Sequence, residues 1–384
     1  MQSCTAKDLR ALSGRQVLRK GMRLVGESGI VYLLRRNLTD FDRNIWSARE
    51  ERSKRLHWYV VKQPNEPYFN VEGSWARRLR QFEAEKKVNK IFEGSKFVRQ
   101  QVDTIKPFND DESPRMVLEY IGKSVWLASQ SEQGYTRREI KSIMKTTLMA
   151  LQEVEQKGFV HYDLKMEDML LSKEKLDPSK PDEFFVKISE LNARKSDNSN
   201  LFDIISDKNF HIVSKSFQRE SGSWTYRAPE RHCDWMPVSF PAHIWSWGMI
   251  LLQQLELRAD FRRKGRIAAF TEGGRMYDEW PVLPDRDLSH MLLVQLAYDF
   301  KLNDCEYYAA SSWPEGEPYE KVGWKDRLRA KGMRASDLEF LAWVLDPNPD
   351  TRPTSEQIVQ SGFLEWTGED VKEEEDEVQR EAGN

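Results

Sequence analysis

Long apolar runs are missing from this 384-residue chain. Nowhere does it approach the ~18 uninterrupted apolar residues of a membrane helix, so no membrane partner is expected. Cysteine is scarce as well. Cys4, Cys233 and Cys305 are scattered and odd in number, which gives neither a disulfide framework nor a zinc spacing and suits a reducing compartment. The formal net charge of −3 provides no whole-chain attraction to nucleic acid. The opening residues MQSCTAKDLRALSGRQ lack the apolar core of a secretory signal. These absences set the expectation of a cytoplasmic or nuclear protein with neither nucleic acid nor membrane among its partners.

No stretch rich in Pro, Gly or Ser divides the chain, yet 39% hydrophobic residues, 13 Trp among them, suffice for a sizeable core. After a polar extension, residues 1–19, the stretch Met22–Leu34 has apolar residues on both sides of a Gly-containing turn and predicts a hairpin. The charged stretch Arg35–Arg55 reads as a loop insertion, and LHWYVVKQ after it reads as a strand ending at Lys62. A helix is predicted from Ser74 to about Glu93, and strand-like runs at Phe97–Ile105 and Pro114–Tyr120. From about Thr136 to Lys157, Ile140, Ile143, Met144, Leu148, Leu151 and Val154 form one helical stripe, stopped by Gly158.

The chemistry concentrates in the next stretch, Gly158–Asn192. It reads GFVHYDLKMEDMLL, then a polar turn-rich segment, then FFVKISELN. A carboxylate, a cation and two further carboxylates on neighbouring loops suit phosphoryl transfer. That reaction needs an oriented hydroxyl, positive charge on the moving phosphate and oxygen ligands for Mg2+.

Here the chain resembles the eukaryotic protein-kinase family. HYDLKMED stands for the catalytic loop H-R-D-L-x-x-x-N and ELN for the metal loop D-F-G. The order of further motifs supports the resemblance over residues 20–365. Gly26, Gly29 and Val31 fit the glycine-rich pattern, and Lys62 fits the strand lysine, with Val60 at the alanine of V-A-I-K. MVLEYIG fits the hinge, Ala228-Pro229-Glu230 the A-P-E motif, and Arg352 the arginine that pairs with its glutamate.

The resemblance implies an α+β, two-lobed fold. A small β-rich N-lobe would cover about 20–118, a hinge 119–122 and a larger, mainly helical C-lobe 123–365, with an acidic, solvated tail over 366–384. It implies ATP and Mg2+ as cofactors and a protein substrate or protein partner. Asp163 would orient the acceptor hydroxyl and Lys165 would offset charge on the phosphate. Glu85, or alternatively Glu83, would pair with Lys62. The backbones of Glu119 and Ile121 would meet the adenine, and Leu170 would line its pocket. Asp168, in place of asparagine, and Glu190, in place of aspartate, would hold the metal.

The departures bear on activity. Glu190 is one methylene longer than the family's aspartate, and Mg2+ tolerates little misplacement. Tyr162 replaces the arginine that would grip an activation-segment phosphate, so control by such a phosphate is not expected despite serines at 196, 199, 206, 214, 216, 221 and 223. Asn192 replaces a flexing glycine. His243 replaces an aspartate and is expected to be packed or backbone-bonded rather than catalytic. Three readings stay open: a slow serine/threonine-type kinase, a pseudokinase that binds nucleotide or scaffolds, and a small-molecule phosphotransferase. The platform formed by Ser223, the A-P-E motif and Arg352 disfavours the last.

Overall fold

The computed structural model describes residues 17–38, 44–53, 57–64, 74–109, 112–129, 134–172, 183–191, 193–195, 226–233, 239–256, 285–318, 320–368 and 370–371. The chain divides into two compact units, Met1–Gly122 with Ser189–Leu191, and Lys123–Ile188 with Asn192–Asn384.

The smaller unit is built on a six-stranded antiparallel sheet in the order β1-β2-β3-β4-β6-β5. Its strands are β1 (Arg23–Val25), β2 (Val31–Asn37), β3 (Ile45–Glu50), β4 (Trp58–Lys62), β5 (Gln101–Ile105) and β6 (Arg115–Glu119). Strand β4 is apolar on both faces because both are covered. Val61 joins Leu18, Tyr32, Leu34, Trp46, Ile105 and Val117 in one cluster. Val60, one residue earlier, joins Met116, Leu118 and Phe82, the last from helix α1 (Ser74–Ile91). The sheet curls until its first turn meets its last strand. The Glu27 N–H donates to the Thr104 carbonyl at 2.9 Å, and Lys106 pairs with Glu27.

One expectation is corrected here. Arg35–Arg55 is not a loop insertion, because it carries β3, paired with β2 on one side and β4 on the other. The charges of Arg49 and Glu50 mask the strand in the sequence, while Trp46 and Ala48 are buried in the inner cluster. The register has a consequence for Lys62. Ile45 pairs with Lys62 and Trp46 with Asn37, so the end of β2 and the start of β3 lie at the Lys62 end of the sheet. The Gly26–Ile30 turn lies at the opposite end of β2.

The larger unit is mainly helical. Its core helix, α3 (Arg137–Gln156), starts in a capping box between Thr136 and Glu139. All six residues of its predicted stripe are fully buried, and it stops at Gly158, whose φ of +77° favours glycine. Helix α4 (Phe240–Glu256) is buried nearly all round, and the Trp247 indole N–H donates to the Met144 carbonyl of α3 at 3.0 Å. Two short ribbons complete the loop region: β7 (Phe159–His161) with β10 (Ala193–Lys195), and β8 (Met169–Ser172) with β9 (Phe185–Ile188). Helices α2 (Val125–Ser129), α5 (Asp285–Asp299), α6 (Trp324–Ala330), α7 (Ala335–Val344) and α8 (Ser355–Gln360) make up the rest of the described helical part.

The start of the acidic tail is packed rather than solvated. Asp370 is 6% exposed and accepts from Lys141 of α3 at 2.7 Å and from Arg137 at 3.4 Å, and Arg137 also pairs with Asp337. Residues 372–384 lie outside the described residues, as do Asn192, residues 1–16 and the serine-rich segment through Ser223. Among the described residues no helix is long and apolar enough to cross a membrane.

Candidate active site

In the smaller unit, β4 delivers Lys62 to two carboxylates. Its Nζ donates to Glu85 of α1 at 2.8 Å and to both carboxylate oxygens of Glu190 at 2.6 Å. The structure therefore brings Lys62, Glu85 and Glu190 together. Glu83, the alternative partner, instead pairs with Lys86 at 3.3 Å. Burial alone would push the Lys62 ammonium down, but Glu190 and then Glu85 outweigh it and hold it above its ordinary value. Burial pushes the Glu85 carboxyl up, Lys62 opposes this, and the like charge of Glu190 adds to it. Two carboxylates sharing one ammonium resist ionising together. Glu190 sits at φ +54°, a left-handed backbone that costs a non-glycine residue about 1 kcal/mol or more.

Arg99 belongs to the same cluster and was not anticipated from the sequence. Burial lowers its guanidinium from its ordinary value, against the pull of Glu190, Glu119 and Glu85. Its Nε donates to the Glu119 carbonyl at 2.9 Å, and the Glu119 N–H donates to the Gln100 carbonyl at 3.0 Å. Glu119, expected at the hinge, thus already has both backbone polar groups engaged. An arginine in the otherwise strand-like run Phe97–Ile105 was the available sign. Ile121 and Val60 are buried nearby in sequence and strand order respectively.

The glycine turn is not brought to Lys62. Asp103 of β5 fills the space beside it, accepting from the Tyr32 hydroxyl at 2.9 Å, the Ser28 N–H at 3.3 Å, the Thr104 N–H at 2.7 Å and the Ser28 hydroxyl. A Cβ at Gly26 would fall 1.9 Å from Asp103 Oδ2 and 2.9 Å from Tyr32. Gly26 is thus required by a carboxylate of the fold itself. Gly29 has φ +83° and open space around its Cα, and Val31 begins β2, half-buried.

In the larger unit, β7 leads into the loop Tyr162–Lys165 and a 3-10 turn, Met166–Asp168. Leu164 and Met166 are fully buried and anchor the loop, leaving Asp163 and Lys165 half-buried between them. Asp168 is 4% exposed, and its N–H donates to the Lys165 carbonyl at 3.1 Å. Leu170 of β8 bridges to Ser124 and is buried.

One support braces the strand that leads into this loop. His243 of α4 takes the His161 backbone N–H on Nδ1 at 3.4 Å and meets Glu155 through Nε2 at 2.7 Å. An Nδ1 that accepts requires the neutral tautomer with its proton on Nε2, donated to Glu155. The other Glu155 oxygen accepts from Ser355 at 2.8 Å. Elsewhere in the unit, a buried ion pair holds the turn at Glu230. Arg352 grips Glu230 through two N–H groups at 2.7 and 3.0 Å and donates to the carbonyls of Asp346, Pro241 and Pro347.

Within the smaller unit, a cationic Lys62 held by Glu85 suits phosphate. The carboxylates of Asp168 and Glu190 are each of the oxygen-donor type that Mg2+ takes, but among the described residues no group of three or more His, Cys, Asp or Glu that could hold a metal comes together.

Comparison with known proteins places this geometry in a family. A model of the protein kinase domain matches residues 69–364. A probable serine/threonine-protein kinase of Dictyostelium discoideum is 22% identical over 221 residues, 49% of this chain and 31% of its own length. The probable serine/threonine-protein kinase MRK1 homolog of Encephalitozoon cuniculi (strain GB-M1) is 24% identical over 152 residues, 40% of this chain and 38% of its own length. The chain thus matches about a third of the length of these relatives. With the two-lobed α+β fold and the Lys62–Glu85 and Glu230–Arg352 pairs, the family match is conclusive: this chain is a member of the protein kinase domain family.

Proposed function

We propose that the chain is a slow protein serine/threonine kinase that transfers the γ-phosphoryl group of ATP to a protein hydroxyl. The observation that carries this reading is the Lys62–Glu85 ion pair at 2.8 Å, in a chain that also keeps Asp163 and Lys165 in its loop after β7. Lys62 holds the nucleotide phosphates. Asp163 orients the acceptor hydroxyl and takes its proton as the oxygen bonds to the γ-phosphorus and ADP leaves. Lys165 offsets charge on the transferring group. Asp168 and Glu190 would hold Mg2+, whose charge neutralises the phosphates when bound. The expected slowness rests on Glu190, whose extra methylene would displace a ligand of a metal with strict geometry.

A second reading, a nucleotide-binding pseudokinase, draws on one observation. Both oxygens of Glu190 are committed to Lys62, an arrangement that neutralises the carboxylate without metal.

A thermal-shift titration with ATP, with and without Mg2+, on the wild type and Lys62→Ala separates the two, since a ligand stabilises by RT ln(1 + [L]/Kd). The kinase reading expects a Mg2+-dependent rise that Lys62→Ala loses, followed by phosphoryl transfer that Asp163→Asn abolishes. A rise indifferent to Mg2+ with no transfer leaves the pseudokinase. No rise at all sinks both nucleotide readings.

A further inference from the structure

With its ring nitrogen bonded to ribose, adenine keeps one N–H donor group, the 6-amino group. A backbone carbonyl expected to meet the base, such as that of Glu119, can therefore meet it only there. In this chain another donor already holds that oxygen. The Arg99 Nε–H reaches the Glu119 carbonyl at 2.9 Å, while the Glu119 N–H donates to the Gln100 carbonyl at 3.0 Å. The Glu119 carboxylate is engaged as well, its Oε1 accepting the Gln100 N–H at 2.8 Å.

The arginine is held in place from both sides of the chain. Phe97 and Val98 before it are buried. The Gln100 side chain after it ties the preceding loop, donating to the carbonyls of Ser95 and Val98 at 3.0 and 2.7 Å and accepting the Gly94 N–H at 2.8 Å. Glu190, Glu119 and Glu85 favour the guanidinium charge against burial. All of these residues lie in the smaller unit with Lys62. A guanidinium has only donors to offer. An amine approaching the Glu119 oxygen would meet a second donor already seated, and taking its place would break a charged hydrogen bond, the stronger kind.

We infer that Arg99 is a specificity-determining residue of the nucleotide site, which takes the Glu119 carbonyl away from the base so that the 6-position of a purine is not read. The ligand class is then a purine nucleoside triphosphate held through its phosphates at Lys62, with or without a 6-amino group. This role rests on the nucleotide reading proposed above, and it narrows which part of ATP the chain recognises.

The test titrates the full chain calorimetrically, in Mg2+, with ATP and with purine riboside triphosphate, which differs from ATP only in lacking the 6-amino group. The wild type should bind both, with Kd values within about twofold of each other. In Arg99→Val, which removes the competing donor, ATP should bind about tenfold tighter than the analogue, the contribution of one hydrogen bond. A purely structural role for Arg99 would weaken both ligands alike and leave their ratio unchanged. Lys62→Ala should lose both. A wild-type preference for ATP of about tenfold, or an unchanged ratio in Arg99→Val, overturns the inference. If Arg99→Val does not fold, Arg99→Met carries the same expectation, and a wild-type preference for ATP still overturns the inference without any variant. Binding of both ligands in the wrong ratio sinks the role of Arg99 alone. No binding of either ligand to the wild type, or binding that survives in Lys62→Ala, sinks the nucleotide reading and this role with it.

Discussion

Glu190 closes both of its carboxylate oxygens on the ammonium of Lys62, at 2.6 Å each, from a backbone at φ +54°. Aspartate tolerates that left-handed backbone better than glutamate and cannot reach as far. Glu190→Asp is therefore expected to loosen the double grip on Lys62, to strengthen the Mg2+ dependence of ATP stabilisation and to raise any phosphoryl-transfer rate. Thermal shift with and without Mg2+ checks this. An unchanged Mg2+ response would mean that Glu190 is not a metal ligand.

The Gly26 turn gives a prediction of the opposite kind. Gly26→Ala forces a Cβ against Asp103 and Tyr32 and should cost about 1–3 kcal/mol of stability by overpacking. At a temperature where the variant is folded, its affinity for ATP should match the wild type, since the turn lies at the far end of β2 from Lys62. Chemical denaturation and nucleotide titration read the two effects separately. A large affinity loss with intact stability would restore the turn to the nucleotide site.

His243 stands where the family has an aspartate, yet restoring aspartate should harm the protein. His243→Asp would set a buried carboxylate against Glu155, now 2.7 Å from His243 Nε2, and should cost about 2 kcal/mol or more. Adding Glu155→Gln should recover part of the loss. A double-mutant cycle from urea melts measures the coupling, and full additivity would contradict the contact.

The tail latch should respond unevenly to its two partners. Removing Asp370 leaves Lys141 and Arg137 buried with less compensation, so Asp370→Ala should cost about 3 kcal/mol. Lys141→Met should cost much less, because burial and the neighbouring Arg137 already push the Lys141 ammonium down. Acid tests the same pair. Burial would raise Asp370, but Lys141 and the Thr367 N–H and hydroxyl outweigh it and hold the carboxyl below its ordinary value. A lowered folded-state value means a contribution present above about pH 4 and lost as pH falls through that lowered value. The stability gap between wild type and Asp370→Asn should close in that acid range and stay constant above it.

The large helices were legible in the sequence, because a stripe such as Ile140 to Val154 repeats at a helix period and ends at a glycine. The Lys62–Glu85 and Glu230–Arg352 partners were legible through ordered motifs. What escaped were contacts joining residues far apart in the chain. Strand β3 was masked by its charged outer residues. Asp103, 75 positions from Ser28, carries no local sign that it will occupy the space beside a glycine turn. Arg99 was not singled out from the sequence, and the fold leaves it half-buried beside Glu119. The glycine pattern at Gly26 was read from spacing, whereas which end of a strand faces Lys62 depends on pairing register, which spacing does not encode.

The bond from the Glu27 N–H to the Thr104 carbonyl has a further effect on how the smaller unit meets other molecules. A strand at the border of a sheet presents a ladder of amides onto which a foreign strand can add, the usual start of aggregation. Here β1 is only three residues long, and the turn that follows it reaches across to β5, the border on the other side. The same curl that buries Tyr32 and Val117 thereby protects the sheet against intermolecular strand pairing.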